Sequence, residues 1–314
     1  MTTTIPLPHR RRARTGLALL AATLLGTACF PETPTPGPTT TTAPTTTTPS
    51  NVVSLTDASL EWTVSREADH GTFAPGQVNY WSAGESDSTQ ATYVPTSGNA
   101  TVLKKNASGT YVPIGSEPAV GWANRGKDGL GVNVSATSAN YLGQKVRFTG
   151  GTGTLDRTTG ASTIQWTGTF SINFYGQYVP FWIKNPKLVV NASGVGQITA
   201  TVAGFASSLD DPTTRTPLPA TAVVIADLPV VNGANSTGFT AATAYGSTSV
   251  TPPAPAGPQV AKTAANGAYW GSWPQTFVNF QAATGLGTYW YTSGGSTDNQ
   301  KPQEPVTVAY RLVP

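Results

Sequence analysis

The chain has 314 residues, of which 38% are hydrophobic and 11% charged, with a formal net charge of +3, 33 Gly and 26 Pro. One cysteine excludes an intramolecular disulfide, thiolate zinc or iron–sulfur clusters and CxxC redox chemistry. Because His9 lies in the basic N-terminal stretch, His70 is the one histidine left to the mature chain, which excludes a multi-histidine metal site. The length leaves room for one large β domain or two ordinary ones.

The N-terminus reads as an export signal. Arg10, Arg11, Arg12 and Arg14 form a basic head, followed by an apolar run from Gly16 to Ala28. That run fits the hydrophobic region of a signal peptide and falls short of the roughly 20 apolar residues of a permanent transmembrane helix. It ends in Leu25-Gly26-Thr27-Ala28-Cys29, which resembles a bacterial lipobox. The resemblance implies cleavage between Ala28 and Cys29 and a lipid on the Cys29 sulfur, holding the protein on the extracytoplasmic face of the membrane. An ordinary signal peptide, and therefore a secreted protein, is the alternative. Residues 1–28 carry four of the 18 basic residues and none of the 15 acidic ones, so the remainder has a net charge of −1. No basic patch is left to recommend nucleic acid as a partner.

Residues 31–50 contain ten Thr and six Pro. Such a segment cannot bury apolar surface, and fully extended it reaches about 60 Å. With Cys29, residues 29–51 read as an anchored stalk, which points to the membrane and cell-envelope components as partners.

From Val52 onward, short runs rich in Val, Thr, Ile and aromatics alternate with period two between Gly, Pro, Asn and Ser. Strands are expected at Ser59–Val64, Lys145–Phe148, Thr163–Trp166, Thr169–Phe174, Lys187–Val190, Gln197–Val202, Ala222–Ile225 and Val306–Tyr310. Thr158–Ala161 and Asn191–Gly194 read as hairpin turns. Pro274–Thr284 is the one segment with helical spacing, through Phe277 and Phe280. The expectation is an all-β protein, a single antiparallel sandwich or barrel-like domain over residues 52–314, with Val250–Pro258 as a long surface loop.

No GxSxG, HExxH, P-loop or full GxGxxG occurs, so the chain is read as a non-enzyme. Gly150-Gly151-Thr152-Gly153 reads as a turn, Lys104-Lys105 and Arg125-Gly126-Lys127-Asp128 as solvated loop charges, and Asp210-Asp211-Pro212 as an Asx turn. Aromatics are the richer signal: Tyr80-Trp81, Phe174-Tyr175, Phe181-Trp182, Tyr269-Trp270 and Tyr289-Trp290-Tyr291. Neighbouring rings on a strand face opposite ways, so some must leave the core. Tyr175, Trp290 and Tyr291 are candidates to stack on a sugar or a flat macrocycle, or to offer a phenol to haem iron.

The order of these segments resembles the Htaa domain of actinobacterial surface haemin-binding proteins. The resemblance is carried by Leu60-Glu61-Trp62-Thr63-Val64, by Trp182–Val190 with Gly194 and Gln197–Val202, by Val223–Leu228, and by Phe277–Val308 with Trp290-Tyr291-Thr292-Ser293-Gly294. It implies an all-β fold and haemin as a small-molecule partner and cofactor, bound for uptake. It also implies a tyrosine soon after the opening strand and a histidine in a Gly-His-x-Gly-x-Leu-Asp stretch. Here the first position falls at Asp69-His70-Gly71, and the second stretch is Gly150–Asp156 with Gly151 in place of the histidine. His70 then becomes the candidate axial ligand, against its reading as a solvated loop histidine. The alternative is a glycan-binding or structural module of the envelope that kept the scaffold without the haem site.

Overall fold

The computed structural model describes residues 51–313, apart from 75–76, 177, 208–210, 212–213 and 234–236. The expectations for Ala28, Cys29 and the stalk lie outside the described residues, as do Asp210 and Pro212.

Thirteen strands belong to one antiparallel sheet: β1 (Val52–Trp62), β2 (Tyr80–Ala83), β3 (Thr96–Ser97), β4 (Ala100–Lys105), β5 (Tyr111–Pro113), β6 (Gln144–Asp156), β7 (Ser162–Gln165), β8 (Thr169–Phe174), β9 (Val179–Val190), β10 (Gly196–Ala206), β11 (Thr216–Leu228), β12 (Gly238–Ala241) and β13 (Val306–Leu312). The single α-helix among the described residues, α1 (Gln275–Thr284), starts behind Pro274 and stops at Gly285, whose φ of 90° is the left-handed conformation that glycine adopts cheaply. The fold is all-β.

The main path runs β11-β10-β9-β7-β6-β1-β13-β12 and stays open at both ends. Its middle forks. The first half of β6 pairs with β4 and its second half with β7; β9 pairs first with β8 and then with β7. The two arms of the fork meet again, because β8 pairs with β2, Ala83 N–H donates to the Val94 carbonyl and Val102 N–H to the Pro95 carbonyl, each at 2.9 Å. Half of the sheet is therefore closed on itself. Phe148 from one arm and Trp81 from the other both meet Phe170, with ring centroids 6.0 Å apart in each case.

A second aromatic cluster lies where α1 joins the sheet. Trp62, Trp273, Phe277, Trp290, Phe181 and Phe174 form a continuous chain of ring contacts, 4.8–5.7 Å for the links through Trp273 and Trp290. Large flat rings dominate such a core because each buries much apolar area at little cost in rotamer freedom. Val250–Pro258 runs without regular structure between Ser247 and α1.

Two readings from sequence are corrected. Gly150–Gly153 is not a turn but the middle of β6: a Cβ on Gly151 would collide with the Trp166 indole, and one on Gly153 with the Thr163 carbonyl. These glycines are required by close approach of a neighbouring strand. Lys104 is not a solvated charge either. It is fully buried in β4, and its ammonium donates to the carbonyls of Asn124 (2.8 Å) and Arg125 (3.3 Å).

Candidate functional site

The loops at one end of the closed half-sheet build two adjoining clefts around the segment that follows β1. That segment turns through a short 3₁₀ stretch, Glu67–Asp69. Every carbonyl from Glu67 to His70 is held: Asn79 Nδ2 donates to Glu67 (2.9 Å), Trp81 Nε1 to Ala68 (2.8 Å), Leu142 N to Asp69 (3.0 Å) and Asn79 N to His70 (3.0 Å). The Asp69 carboxylate accepts from Gly143 N, Gln144 N and Gln144 Nε2 at 2.8–3.0 Å. Gln144 Oε1 in turn accepts from Trp81 N at 2.7 Å. The turn is thus fixed by buried polar bonds rather than by apolar packing. Burial pushes the Asp69 carboxyl up to about 7 against those donors, and pulls the Lys104 ammonium down to about 8.

The smaller cleft, about 180 Å³, is lined by Glu67, Asn79, Tyr175, Tyr289, Thr297 and Lys301 among others. Glu67 is 7% exposed, and its Oε2 has no hydrogen-bond partner. Burial raises its carboxyl to about 7, although the nearby Lys301 charge and the Thr297 hydroxyl favour the ionised form. Lys301 is also buried and spends all three donors, on Asp298 Oδ1 (2.5 Å), Ser293 Oγ (2.9 Å) and the Tyr291 carbonyl (3.2 Å). Tyr175 and Tyr289 are half-buried, meet edge to face at 6.0 Å and 86°, and touch through their hydroxyls.

The larger groove, about 580 Å³, shares Thr72, Phe73 and Ala136 with the smaller one. Phe73 is 63% exposed, and Arg125 and Lys127 also line the groove. The Arg125 guanidinium lies 3.8 Å from the Trp122 ring centroid and donates to the Trp122 carbonyl, so it is held rather than freely solvated.

The structure separates the four residues that sequence singled out for ligand binding. His70 is 1% exposed and lines neither cleft; its Nε2 donates to the Ser138 carbonyl at 3.1 Å and its ring packs 5.0 Å from Tyr141. It is not a solvated histidine, and burial lowers its pKa so that the neutral ring is favoured at pH 7. Trp290 sits inside the second aromatic cluster, 1% exposed. Tyr291 is buried, with its hydroxyl donating to the Gly257 carbonyl at 2.5 Å. Only Tyr175 lines a cleft, and its φ of 52° turns the chain there just after β8. Glu67, Phe73, Tyr289 and Lys301 were missed. An acid beside Arg66 or a lone Phe in a loop carries no periodicity that would mark it. Among the described residues no group of three or more His, Cys, Asp or Glu could hold a metal ion, and no helix is long and apolar enough to cross a membrane.

No protein-family model matches the chain, and no curated protein matches it. Among solved structures it is similar to the C-terminal domain of HtaA from Corynebacterium glutamicum, at 14% identity over 83% of this chain and 99% of that one, with a TM-score of 0.41. A domain-swapped dimer of a histidine-to-alanine variant of the same domain matches at 15% identity over 52% of this chain and 70% of that one, with a TM-score of 0.26.

Proposed function

We propose that the chain is a non-enzymatic, lipid-anchored surface protein whose folded domain binds a flat ligand bearing acidic groups in the larger groove. Haemin is the candidate. The observation that carries this reading is Phe73, an exposed ring in a groove of about 580 Å³ that also presents Arg125 and Lys127 and no carboxylate. A groove of that size lies within the roughly 300–1,000 Å³ of small-molecule sites. Exposed aromatic faces stack on flat rings, and cations pair with carboxylates.

These residues fit a macrocycle's face and its carboxylates, and they do not fit its iron. Among the described residues, no His, Tyr, Cys or Met lines the groove. His70 faces inward onto Ser138, and Tyr291 is tied to Gly257. No iron–protein bond is part of this reading. The anchor rests on Cys29 and on the Thr- and Pro-rich sequence that follows it.

Haemin titration of the full chain, followed in the Soret region, tests the ligand. A saturable change that weakens at least tenfold in Phe73→Ala is the expected result. No saturable change, or one lost only in Tyr175→Phe, would overturn the reading. Anchoring is tested apart from the ligand, because Cys29→Ser should move the protein from membrane to medium.

A further inference from the structure

The smaller cleft is lined by a buried carboxyl, Glu67, whose Oε2 has no hydrogen-bond partner among the described residues. Glu67 is nine-tenths buried, its main chain is pinned by Asn79, and Oε2 is left without a donor at the cleft wall. Native proteins rarely leave such a group unpaired, since a buried unsatisfied acceptor costs stability. A ligand that donates a hydrogen bond would remove that deficit.

Three features define its chemistry. Volume comes first: about 180 Å³ is below the range of drug-sized sites and holds one six-membered ring with small substituents. Charge is the second. Lys301 lines the same cleft as Glu67, so a cation meets the ammonium and an anion meets the carboxyl, and neither is favoured. Surface is the third. The half-buried rings of Tyr175 and Tyr289 supply apolar area, while Thr72, Thr288 and Thr297 supply hydroxyls around it. A neutral ring carrying hydroxyl groups satisfies all three.

We propose that this cleft is a subsite for one neutral sugar ring, held against Tyr175 and Tyr289 with a sugar hydroxyl donating to Glu67 Oε2. The two clefts share Thr72, Phe73 and Ala136, but this reading rests on Glu67, Tyr175 and Tyr289, none of which lines the larger groove. Its failure would leave the haemin reading untouched, and the reverse also holds.

The test uses saturation-transfer NMR on the full chain. Probes are the methyl glycosides of glucose, galactose, mannose and arabinose, with glucuronic acid and glucosamine as charged counterparts. At least one neutral glycoside should receive saturation and titrate, with the charged sugars weaker. Glu67→Ala should weaken it at least tenfold. Ser296 is exposed on the cleft lining, so Ser296→Trp should abolish binding with an unchanged melting temperature, which guards against a fold defect in the Glu67 variant. No neutral glycoside bound, a charged sugar bound best, or binding intact in Ser296→Trp would each overturn the proposal.

Discussion

The aromatic cluster under α1 and the polar turn at Glu67–Asp69 are both buried, and they are built on opposite principles. In the cluster, Trp62, Trp273, Phe277 and Trp290 fill space with ring against ring. At the turn, Asp69, Gln144, Asn79 and Lys104 fill it with hydrogen bonds whose partners are all inside the protein. Apolar packing tolerates a missing polar bond, whereas a polar network makes each group depend on its neighbours. The clefts open beside the second region, where Glu67 is the member that the network leaves short. The two regions adjoin, since Tyr289 of the smaller cleft packs on Phe174 of the cluster and Trp273 Nε1 donates to the Lys301 carbonyl, so the core braces the wall of the cleft.

The largest expected break is in the cluster. Trp273→Ala removes a fully buried indole that touches three rings and should cost about 4 kcal/mol, read as a loss in denaturant midpoint. Next comes Glu67. Its folded carboxyl titrates near 7 and its ordinary value is 4.5, so between those values the folded state holds the proton that the unfolded state has lost. Stability from this group therefore falls as pH rises from about 4.5 to 7 and is level above. Glu67→Gln should be near neutral at pH 4 and stabilise by about 3 kcal/mol at pH 8, flattening the melting temperature against pH.

Gln144→Met keeps the volume but leaves the buried Trp81 N–H unpaired, and should cost about 2 kcal/mol. The smallest effect belongs to Tyr175→Phe. It removes one half-buried hydroxyl from the contact with Tyr289, and should cost less than about 1 kcal/mol in the same unfolding measurement.

Alternating strands were legible. The expected strands at Thr169–Phe174 and Val306–Tyr310, the hairpins at Thr158–Ala161 and Asn191–Gly194, and the helix after Pro274 all form. What failed had a physical reason. β2 is only four residues long, and Tyr80-Trp81-Ser82-Ala83 sets two large rings side by side, so it shows no period-two pattern. Lys104 looks like surface because nothing in the chain announces the Asn124 and Arg125 carbonyls that receive it. The site was less legible still. Rings mark where large side chains are, not which way they face: Trp290 went into the core and Tyr289 beside it into a cleft. His70 looked available until Ser138 and Tyr141, far along the chain, closed over it.

The central claim is that ligands meet the clefts beside the Glu67–Asp69 turn and do not enter the aromatic cluster. Amide shift mapping of the full chain during haemin addition tests it most directly. Perturbations concentrated at Thr72, Phe73, Arg125–Lys127 and Asn133–Thr137 are the predicted result. Shifts centred instead on Trp273, α1 and Tyr291 would contradict it.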